Sequence, residues 1–241
     1  MDRNFEIPVT VVMPVFNGMP HLITQINSIL VQLQENDELL IVDDCSTDGS
    51  LEYLIETQAR SMHDIKVYNN SKNMGVLENI KKLINLARCD VVIFADQDDE
   101  WLPSKIMVTK KEYSYQDLSL MVHNAKYICE NSTDPLHNTT AFQHLKTSNR
   151  FLRNFIRNGF IGCCMAINRT HFPKKVIDNI PNSPMHDWYL SSYCFMKGKK
   201  VRIIDECLIN HYRHSGAFTS KNIQYYNKIY SRYKLLKAVL I

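Results

Sequence analysis

Residues Val91–Glu100 read VVIFADQDDE, an apolar run that passes directly into four carboxylates within five positions. The run is short, continuous and rich in β-branched residues, which predicts a buried strand. Carboxylates crowded at the end of such a strand repel one another unless a cation is present. The Asp-x-Asp pair formed by Asp96 and Asp98 offers oxygen ligands to Mg²⁺ or Mn²⁺, and substrate phosphates commonly fill the metal's other positions. The alternative is a solvated acidic loop at the start of the next helix.

Three further apolar runs precede this one, and helix-like segments separate them. The runs are Val9–Met13, Leu39–Val42 and Ile65–Tyr68, and the helical segments are His21–Leu33, a segment carrying Leu51, Leu54 and Ile55, and Val76–Ala87. Strands without polar alternation, joined by helices, predict an α/β fold with a mainly parallel sheet flanked by helices. Ligands bind such sheets beyond the carboxyl ends of the strands. Because the second run ends in Asp43 and Asp44, two of the four strands end in acidic clusters.

The second half of the chain is less regular. Its candidate strands are Met121–Tyr127, Ile161–Ile167 and Val201–Ile204. Residues Asn149–Asn158 predict an amphipathic helix, with Arg150, Arg153 and Arg157 on one side and Phe151, Leu152, Phe155 and Ile156 on the other. No repeat or low-complexity linker separates the halves, so we expect two abutting halves of one domain.

Composition restricts the class of protein. The 241 residues include 28 Lys+Arg and 25 Asp+Glu, a formal net charge of +3, and 45% are hydrophobic. These values exclude disorder, and the charge is too weak to predict nucleic-acid binding by itself. No apolar run approaches the ~18 residues of a spanning helix, and the N-terminus lacks a signal peptide's apolar region. The seven cysteines form no CxxC pair. Reduced thiols and a cytoplasmic location are therefore expected.

The loops after the first two strands carry groups suited to a nucleoside. The Asp44 carboxylate can accept hydrogen bonds from a pyrimidine N–H or from ribose hydroxyls. Phe16, which follows Pro14 at the end of the first strand, offers an aromatic face for the base.

These motifs, in this order, resemble glycosyltransferase family 2, the inverting nucleotide-sugar transferases of GT-A fold. The matching segments are Val11–Asn17, Ile41–Ser50, Asn73–Val76 with Asn79, Asp96–Lys105, Gly162–Ala166, His186–Trp188 and Tyr212–His214. The Asp-Gln-Asp-Asp form followed by Trp, Pro and Lys is most similar to the rhamnosyltransferase-like branch that builds bacterial O-antigen or capsule chains. The resemblance implies one GT-A domain over residues 1–215, with about 1–110 binding the nucleotide sugar and 111–215 binding the acceptor.

The resemblance also implies roles for individual residues. Nucleotide and donor contacts fall on Pro14, Phe16, Asn17, Asp43, Asp44, Gly75, Asn79, Asp96, Asp99 and Arg213. The alternatives are a helix-capping acid at Asp43 and a plain turn at Gly75. The expected cofactor, Mn²⁺ or Mg²⁺, falls on Asp98 and Asp96. The family's late Tyr-Arg-x-His element is altered here to Tyr212-Arg213-His214, so either His214 or His211 takes the metal role. The alternative for both is a surface histidine.

The expected general base is Asp187. Inversion requires one in-line attack by an acceptor hydroxyl, so a carboxylate must lie across C1 from the diphosphate. The family carries that acid before an aromatic residue in its acceptor half, and the segment His186–Trp188 matches this pattern. The alternative is a helix N-cap beside a core Trp.

Residues 216–241 predict a basic amphipathic helix. From Lys221 to Ile241 there are five basic residues and no acid. Such a helix can lie on an anionic membrane surface, near a lipid-linked acceptor. The alternative is a packed helix with a solvated basic face.

The sequence thus predicts a metal-dependent inverting glycosyltransferase. Its donor would be a UDP- or dTDP-sugar, and its acceptor a hydroxyl of a growing, lipid-linked bacterial surface polysaccharide. No nucleic-acid partner is expected, and membrane contact would be peripheral, at the inner face. The alternative is a catalytically inactive glycosyltransferase-like scaffold in a polysaccharide assembly complex. A nucleotidyltransferase is disfavoured, because the segment Val15–Pro20 is not a glycine-rich basic phosphate loop.

Overall fold

The computed structural model describes residues 7–181 and 185–213, together with residues 232, 233, 236 and 237. Strands and helices alternate along the first half of the chain, as the apolar runs predict. The elements are β1 (Val9–Val15), α1 (His21–Leu30), β2 (Glu38–Asp43), α2 (Ser50–Arg60), β3 (Asp64–Asn69), α3 (Val76–Leu86), β4 (Val91–Phe94), β5 (Glu100–Trp101), α4 (Lys105–Tyr115), β6 (Leu120–Cys129), α5 (Ala141–Leu145), α6 (Phe151–Ile156), β7 (Met165–Asn168), α7 (Lys174–Asp178), α8 (His186–Met196) and β8 (Val201–Arg213), with 3₁₀ turns at Gly162–Cys164 and Arg169–His171.

One sheet contains strands from both halves of the described chain. Its order is β3-β2-β1-β4-β7-β6-β8-β5. Strands β3, β2, β1 and β4 are parallel, and β8 is parallel to β6. Strands β7 and β5 run antiparallel to their neighbours. The prediction of a mainly parallel α/β sheet is therefore confirmed.

Burial of apolar side chains explains the central strands. Every residue of β2 is buried, and so is every residue of β1 except Pro14. Helix α1 covers the sheet with Leu22, Ile26 and Ile29, which recur at helical spacing on one face. Each fully buried aliphatic side chain contributes roughly 1.5–3 kcal/mol. The core of the first half therefore holds rigidly the strand ends that carry the polar residues.

A buried carboxylate joins several elements at the amino-terminal ends of the parallel strands. Glu38, the first residue of β2, accepts hydrogen bonds from Lys66 Nζ at 2.7 Å, Thr10 Oγ1 at 2.9 Å and the Arg88 N–H at 3.0 Å. Burial alone would raise the pKa of Glu38, but these hydrogen bonds outweigh it and lower the pKa. Strands β1, β2 and β3 and the segment before β4 are thus connected through one ionised side chain.

The predicted strand over Ile161–Ile167 is wrong in its first part. Residues Gly162–Cys164 form a 3₁₀ turn, and the strand β7 begins only at Met165. A Cβ atom at Gly162 would lie 2.5 Å from Nε2 of His186. The chain therefore passes close against the start of α8 before it joins the sheet.

The predicted helix over Asn149–Asn158 is shorter and faces differently. Helix α6 spans only six residues, and its buried position is Asn154. Leu152 and Ile156, predicted to face inward, are exposed. The prediction failed because the main chain of Asn154 accepts a hydrogen bond from the Trp188 indole of α8, which orients this helix face.

The predicted helix over residues 216–241 lies outside the described residues, apart from four positions. Of these, Arg232 donates a hydrogen bond to the carbonyl oxygen of Ile156, at the end of α6. Within the described ranges, we find no helix that combines the length and the apolar character of a bilayer-spanning segment.

Candidate active site

The loops that follow β1 and β2 are joined by hydrogen bonds. The Asn17 N–H donates to Ser46 Oγ at 2.9 Å, and the Gly18 N–H donates to Ser50 Oγ at 2.9 Å. In return, the Thr47 N–H donates to Asn17 Oδ1 at 2.8 Å. Asn17 has a φ of 49°, which an Asn side chain tolerates better than most. The two loops therefore form one surface at the carboxyl ends of adjacent parallel strands.

Gln97 connects this surface to the acidic loop after β4. Its Oε1 accepts from the Phe16 N–H at 2.8 Å, and its Nε2 donates to the Phe16 carbonyl at 3.1 Å. The Phe16 side chain is 45% exposed, so an aromatic face is open to solvent at this edge. Sequence reasoning missed Gln97. The available signal was an amide side chain inside the Asp-Gln-Asp motif.

Asp44 is held ionised by donors from the loop before α3. Its carboxylate accepts from the N–H groups of Met74 and Gly75 and from Asn70 Nδ2, each at 2.8 Å. Burial alone would raise the pKa of Asp44, but these donors outweigh it and lower the pKa. Gly75 has a φ of 82°, a backbone conformation that favours glycine. Asn79 Oδ1 accepts a second bond from Asn70 Nδ2 at 2.7 Å, so these site residues form one network.

Asp43 has a different environment. It is fully buried, and its Oδ2 accepts from the Ser46 N–H at 2.9 Å. Its Oδ1 is buried and has no hydrogen-bond partner among the described residues. Asp43 thus supports the turn after β2, whereas the neighbouring Asp44 fixes the loop that contains Gly75.

Several carboxylates crowd together in the acidic loop. The pKa of Asp96 is raised to about 7, mainly because the group is buried and to a smaller extent because the Asp99 and Asp98 carboxylates are near. Asp99 is buried, and its Oδ2 has no hydrogen-bond partner in the described part of the chain. A set of crowded carboxylates with a free buried oxygen is the donor set that hard divalent cations prefer. The residues therefore fit Mg²⁺ or Mn²⁺.

His211, on β8, faces this loop. Its Nδ1 lies 2.7 Å from Asp99 Oδ1 and 3.8 Å from Cys163 Sγ. Burial alone would lower the pKa of His211, but Asp99 outweighs it and raises the pKa to about 9. The ligand atoms of Asp99, Cys163 and His211 all lie within 4.8 Å of one another. Of the two candidate histidines, His211 lies beside the acidic loop, and His214 lies outside the described residues.

A buried cation, also missed by sequence reasoning, lies below the acidic loop. Lys105 Nζ donates to the Cys163 carbonyl at 2.7 Å and lies 3.9 Å from the centroid of the Trp101 ring. Burial lowers the pKa of Lys105 to about 8, although Asp99 and Asp96 favour its charged form. Lys105 thus offsets part of the negative charge from the buried side of the loop.

Strand β8 is also hydrogen-bonded to this region. Glu100 Oε2 accepts from Asn210 Nδ2 at 2.9 Å and from the Tyr212 hydroxyl at 3.1 Å. Arg213, the last residue of β8, has its guanidinium carbon 5.2 Å from the centroid of the Tyr127 ring. This arginine therefore lies on the strand that carries His211, held over an aromatic face.

Asp187 lies in the first turn of α8. The ring of the preceding residue, His186, packs 5.2 Å from that of Phe94, so α8 begins beside the end of β4. Burial raises the pKa of Asp187 to about 6, while hydrogen bonds from the Trp188 N–H and from Asn158 oppose the rise. The N-cap residue of α8 is Met185. Asp187 is thus a buried carboxylate able to accept a proton near neutral pH.

The chain is similar to known glycosyltransferases in both sequence and structure. The model of the family "Glycosyl transferase family 2" matches residues 10–174. TuaG of Bacillus subtilis, named as a teichuronic acid biosynthesis glycosyltransferase, is 25% identical over 98% of this chain and 91% of its own length. RfbG of Shigella flexneri, a dTDP-rhamnosyl transferase, is 24% identical over 93% of this chain and 79% of its own. An uncharacterized glycosyltransferase of Nostoc is 26% identical over 87% of this chain, which spans 65% of that protein.

Solved structures share the architecture. TarS of Staphylococcus aureus in complex with UDP-GlcNAc superposes with a TM-score of 0.68 at 16% identity, over 90% of this chain and 62% of that one. A Pyrobaculum calidifontis mannosyltransferase in complex with GDP-Man and Mn²⁺ gives 0.62 at 14% identity, over 87% and 58%. At 14–16% sequence identity this similarity shows only the fold, which is a GT-A-like α/β fold. The fold expected from the motifs is therefore confirmed. The family model covers more than half of the residues, and the chain belongs to glycosyltransferase family 2.

Proposed function

We propose that this chain transfers a sugar from a nucleotide-sugar donor to a hydroxyl of a growing bacterial surface polysaccharide. The observation that carries the proposal is that the candidate nucleotide-binding, metal-binding and proton-accepting residues lie at one edge of the sheet. The ends of β2, β1 and β4, which are adjacent and parallel, bear Asp44, Phe16 and the acidic loop, and α8 begins beside β4 with Asp187. Nucleotide recognition, diphosphate binding and proton acceptance can therefore occur within one site.

The nucleoside would lie on the surface formed by the first two loops. Phe16 would stack on the base, and Pro14 and Asn17 would shape the pocket. Asp44 would accept from the base or ribose, at the cost of one of its present donors. Asp43 Oδ1, which has no hydrogen-bond partner among the described residues, would give this edge a second acceptor, and Gly75 would allow the backbone to approach the nucleotide closely. UDP and dTDP donors both fit this scheme.

A divalent metal, Mn²⁺ or Mg²⁺, would be held by Asp98 and Asp96, with His211 as a further ligand once its ring gives up the proton that Asp99 favours. When bound, it would supply positive charge against the diphosphate leaving group. Asp99 would then contact donor-sugar hydroxyls, in addition to its bond with His211. Arg213 would contribute a fixed cation beside the same phosphates.

Asp187 would act as the general base. Its raised pKa of about 6 leaves it ionised at neutral pH and basic enough to accept the proton of an acceptor hydroxyl. Attack on the face of C1 opposite the diphosphate would invert the configuration. His186 would support this group as a neutral ring, because burial lowers its pKa to about 4.

The acceptor class is inferred from the relatives. TuaG is named for teichuronic acid biosynthesis, and RfbG for dTDP-rhamnosyl transfer. We infer a saccharide acceptor of bacterial surface polysaccharide assembly, in the rhamnosyltransferase-like branch, carried on a lipid at the inner face of the membrane. The whole protein's activity is part of the proposal, because the chain spans less than two thirds of the solved chains.

Titration calorimetry with Mn²⁺ and either UDP or dTDP tests the proposal. We expect binding that requires the metal. The D98A variant should lose it, and its kcat/KM for transfer should fall about 10²-fold or more. D117A, at a carboxylate 87% exposed, serves as the matched control and should behave like the wild type.

Two outcomes would contradict this function. If D98A transfers sugar at the wild-type rate, or if transfer continues in chelator, the acidic loop is not a metal site. If the wild type binds nucleotide but neither hydrolyses nor transfers any donor, the chain is an inactive scaffold.

A further inference from the structure

Helix α6 exposes apolar and cationic side chains on the same face. Leu152 and Ile156, four residues apart, are 69% and 58% exposed. Arg153 and Arg157 are exposed beside them at the same spacing. Residues four apart lie above one another on a helix, so Leu152 and Ile156 form one apolar row beside Arg153, and Arg157 directly follows the last helical residue. We call Leu152, Arg153, Ile156 and Arg157 the α6 surface.

The orientation of this face is fixed by contacts on the inner side of the helix. Trp188 Nε1 donates to the Asn154 carbonyl at 2.7 Å, and Asn154 Nδ2 donates to the Ser148 carbonyl at 2.6 Å. The rings of Phe151 and Phe155 pack together at 5.6 Å. The bond to Trp188 and the packing of Phe155 against the core hold the opposite side of the helix inward, so Leu152 and Ile156 face solvent.

Residues near the C-terminus extend the surface. Arg232 donates to the carbonyl of Ile156, which brings a further cation to the end of α6. Nearby in sequence, Tyr233 and Leu236 are 61% and 39% exposed. Arg232 thus adds one basic group at the end of the α6 surface.

Charge is segregated along the chain in a way that favours an anionic partner. Residues 135–177 contain seven basic residues and no acid, and residues 207–241 contain six and none. The rest of the chain holds 15 basic residues against 25 acidic ones, a net charge of −10. The α6 surface and Arg232 belong to the two basic segments. The net charge of +3 for the whole chain is therefore the sum of two basic segments, residues 135–177 and 207–241, and an acidic remainder.

We propose that the α6 surface docks on an anionic membrane. Leu152 and Ile156 would enter the interfacial region, and the guanidinium groups of Arg153 and Arg157 would pair with lipid phosphates. A second copy of the chain is a poorer occupant, because a two-fold contact would bring the same arginines together. The inference differs from the sequence prediction, which gave membrane contact to residues 216–241.

Docking at α6 would bring a lipid-linked acceptor near the candidate base. Trp188, whose indole is hydrogen-bonded to α6, follows Asp187 directly in the chain. An acceptor held at the membrane could then present its sugar to α8 without leaving the bilayer. This consequence rests on the proposed function, whereas vesicle binding itself does not.

Sedimentation with vesicles of phosphatidylcholine and phosphatidylglycerol in equal parts tests the proposal, with pure phosphatidylcholine as the neutral comparison. We expect the full chain to bind the anionic vesicles, and added salt to weaken that binding. R153E/R157E and, separately, L152S/I156S should each weaken it about tenfold or more. K197E/K200E makes the same change in charge at exposed lysines, and V31S/M62S removes exposed apolar groups elsewhere. Both controls should bind as the wild type does.

Equal binding to neutral and anionic vesicles, or loss of binding in the controls alone, would overturn the proposal. A fall in molecular mass of the α6 variants in light scattering would overturn it in favour of a second copy. Nucleotide binding and vesicle binding, both measured on the wild-type chain, separate the two proposals. Vesicle binding without nucleotide binding would leave docking intact and refute the transferase. The reverse result would refute docking alone.

Discussion

Asp187 changes protonation close to neutral pH, because burial raises its pKa to about 6. A general base must be ionised, so we expect kcat/KM to rise with pH up to about 6 and then to level off. The variant D187N should lower transfer by about 10²–10⁴-fold while nucleotide binding persists. Steady-state rates from pH 5 upward and calorimetry with Mn²⁺ and UDP would measure both effects.

The control for this variant is D178N, at an exposed carboxylate of α7. It should leave the rate and its pH dependence unchanged. A D187N enzyme that turns over normally would show that another group accepts the proton.

At the residue scale, the sequence predicted candidate site residues where a motif ends a strand. Asp44 and the acidic loop were proposed because apolar strands there run into acidic residues, and the structure places them at the ends of adjacent parallel strands. Cys163 and His211 were not recognised as one group, since they are far apart in sequence and meet beside Asp99 only through the pairing of β6 with β8. A pattern within one segment cannot report a contact of that kind.

At the element scale, the 3₁₀ turn before β7 is packed against α8 with no room for a side chain. A Cβ atom at Gly162 would lie 2.5 Å from His186 Nε2 and 2.7 Å from its Cε1. We expect G162A to lower the free energy of unfolding by about 1–3 kcal/mol, because the ring must move. In an H186A background the same change should cost far less, as urea unfolding of the double-mutant cycle would show. Equal costs in both backgrounds would mean that the ring is not the obstacle.

Glu38 provides a second test at the element scale. Its carboxylate is buried and connects β1, β2 and β3. We expect E38Q to lower the free energy of unfolding by roughly 1–3 kcal/mol at pH 7. The pKa of Glu38 is lowered in the folded chain, so its contribution is present above the unfolded pKa and is lost as the pH falls. The penalty of E38Q should therefore shrink in acid.

Urea titrations at neutral and acid pH would follow this change. E56Q is the matched control, because Glu56 pairs with Arg60 while both side chains are exposed. Its cost should stay within about 0.5 kcal/mol. If E38Q were equally harmless, the carboxylate would not hold the strands together.

The strands and helices that could be predicted are those whose own sequence carries a clear apolar pattern. Strands β1, β2 and β4 of the first half are mostly apolar and gave clear patterns, whereas β3 includes Asp64, Lys66 and Asn69 beside its apolar residues. Strand β5 has two residues and β7 has four, and both depend on antiparallel partners distant in sequence. Helix α6 shows a different limit. Its sequence allows either face to be buried, and a hydrogen bond from Trp188 decides between them.

At the scale of the whole molecule, one sheet carries both the stable core and the site. The parallel strands β2, β1 and β4 end at a common edge, so loops distant in sequence share one surface. This much follows from the parallel pattern of the sequence. The position of α8 does not follow, because it depends on the packing of His186 against Phe94 and of the segment at Gly162.

The same architecture predicts a conflict between stability and function at Asp187. Its folded pKa of about 6 lies above the unfolded value, so the native state holds this proton more tightly. The resulting stability is present below the unfolded pKa and is lost as the pH rises through about 6. At pH 8 the buried carboxylate is ionised, and D187N should therefore raise the free energy of unfolding by roughly 1–3 kcal/mol, less a few tenths for the lost helix-dipole interaction.

Urea unfolding at pH 8 and at pH 4 measures this effect on the whole chain. The gain should disappear at pH 4, where the carboxyl is protonated in the native state. The Trp188 N–H can donate to an amide oxygen as it does to Asp187 Oδ1, at 2.6 Å in the wild type, so the helix start is retained. A D187N protein less stable than the wild type at pH 8 would show that the Asp187 carboxylate stabilises the first turn of α8. A more stable but inactive one would mean that the fold retains a destabilising charge for catalysis.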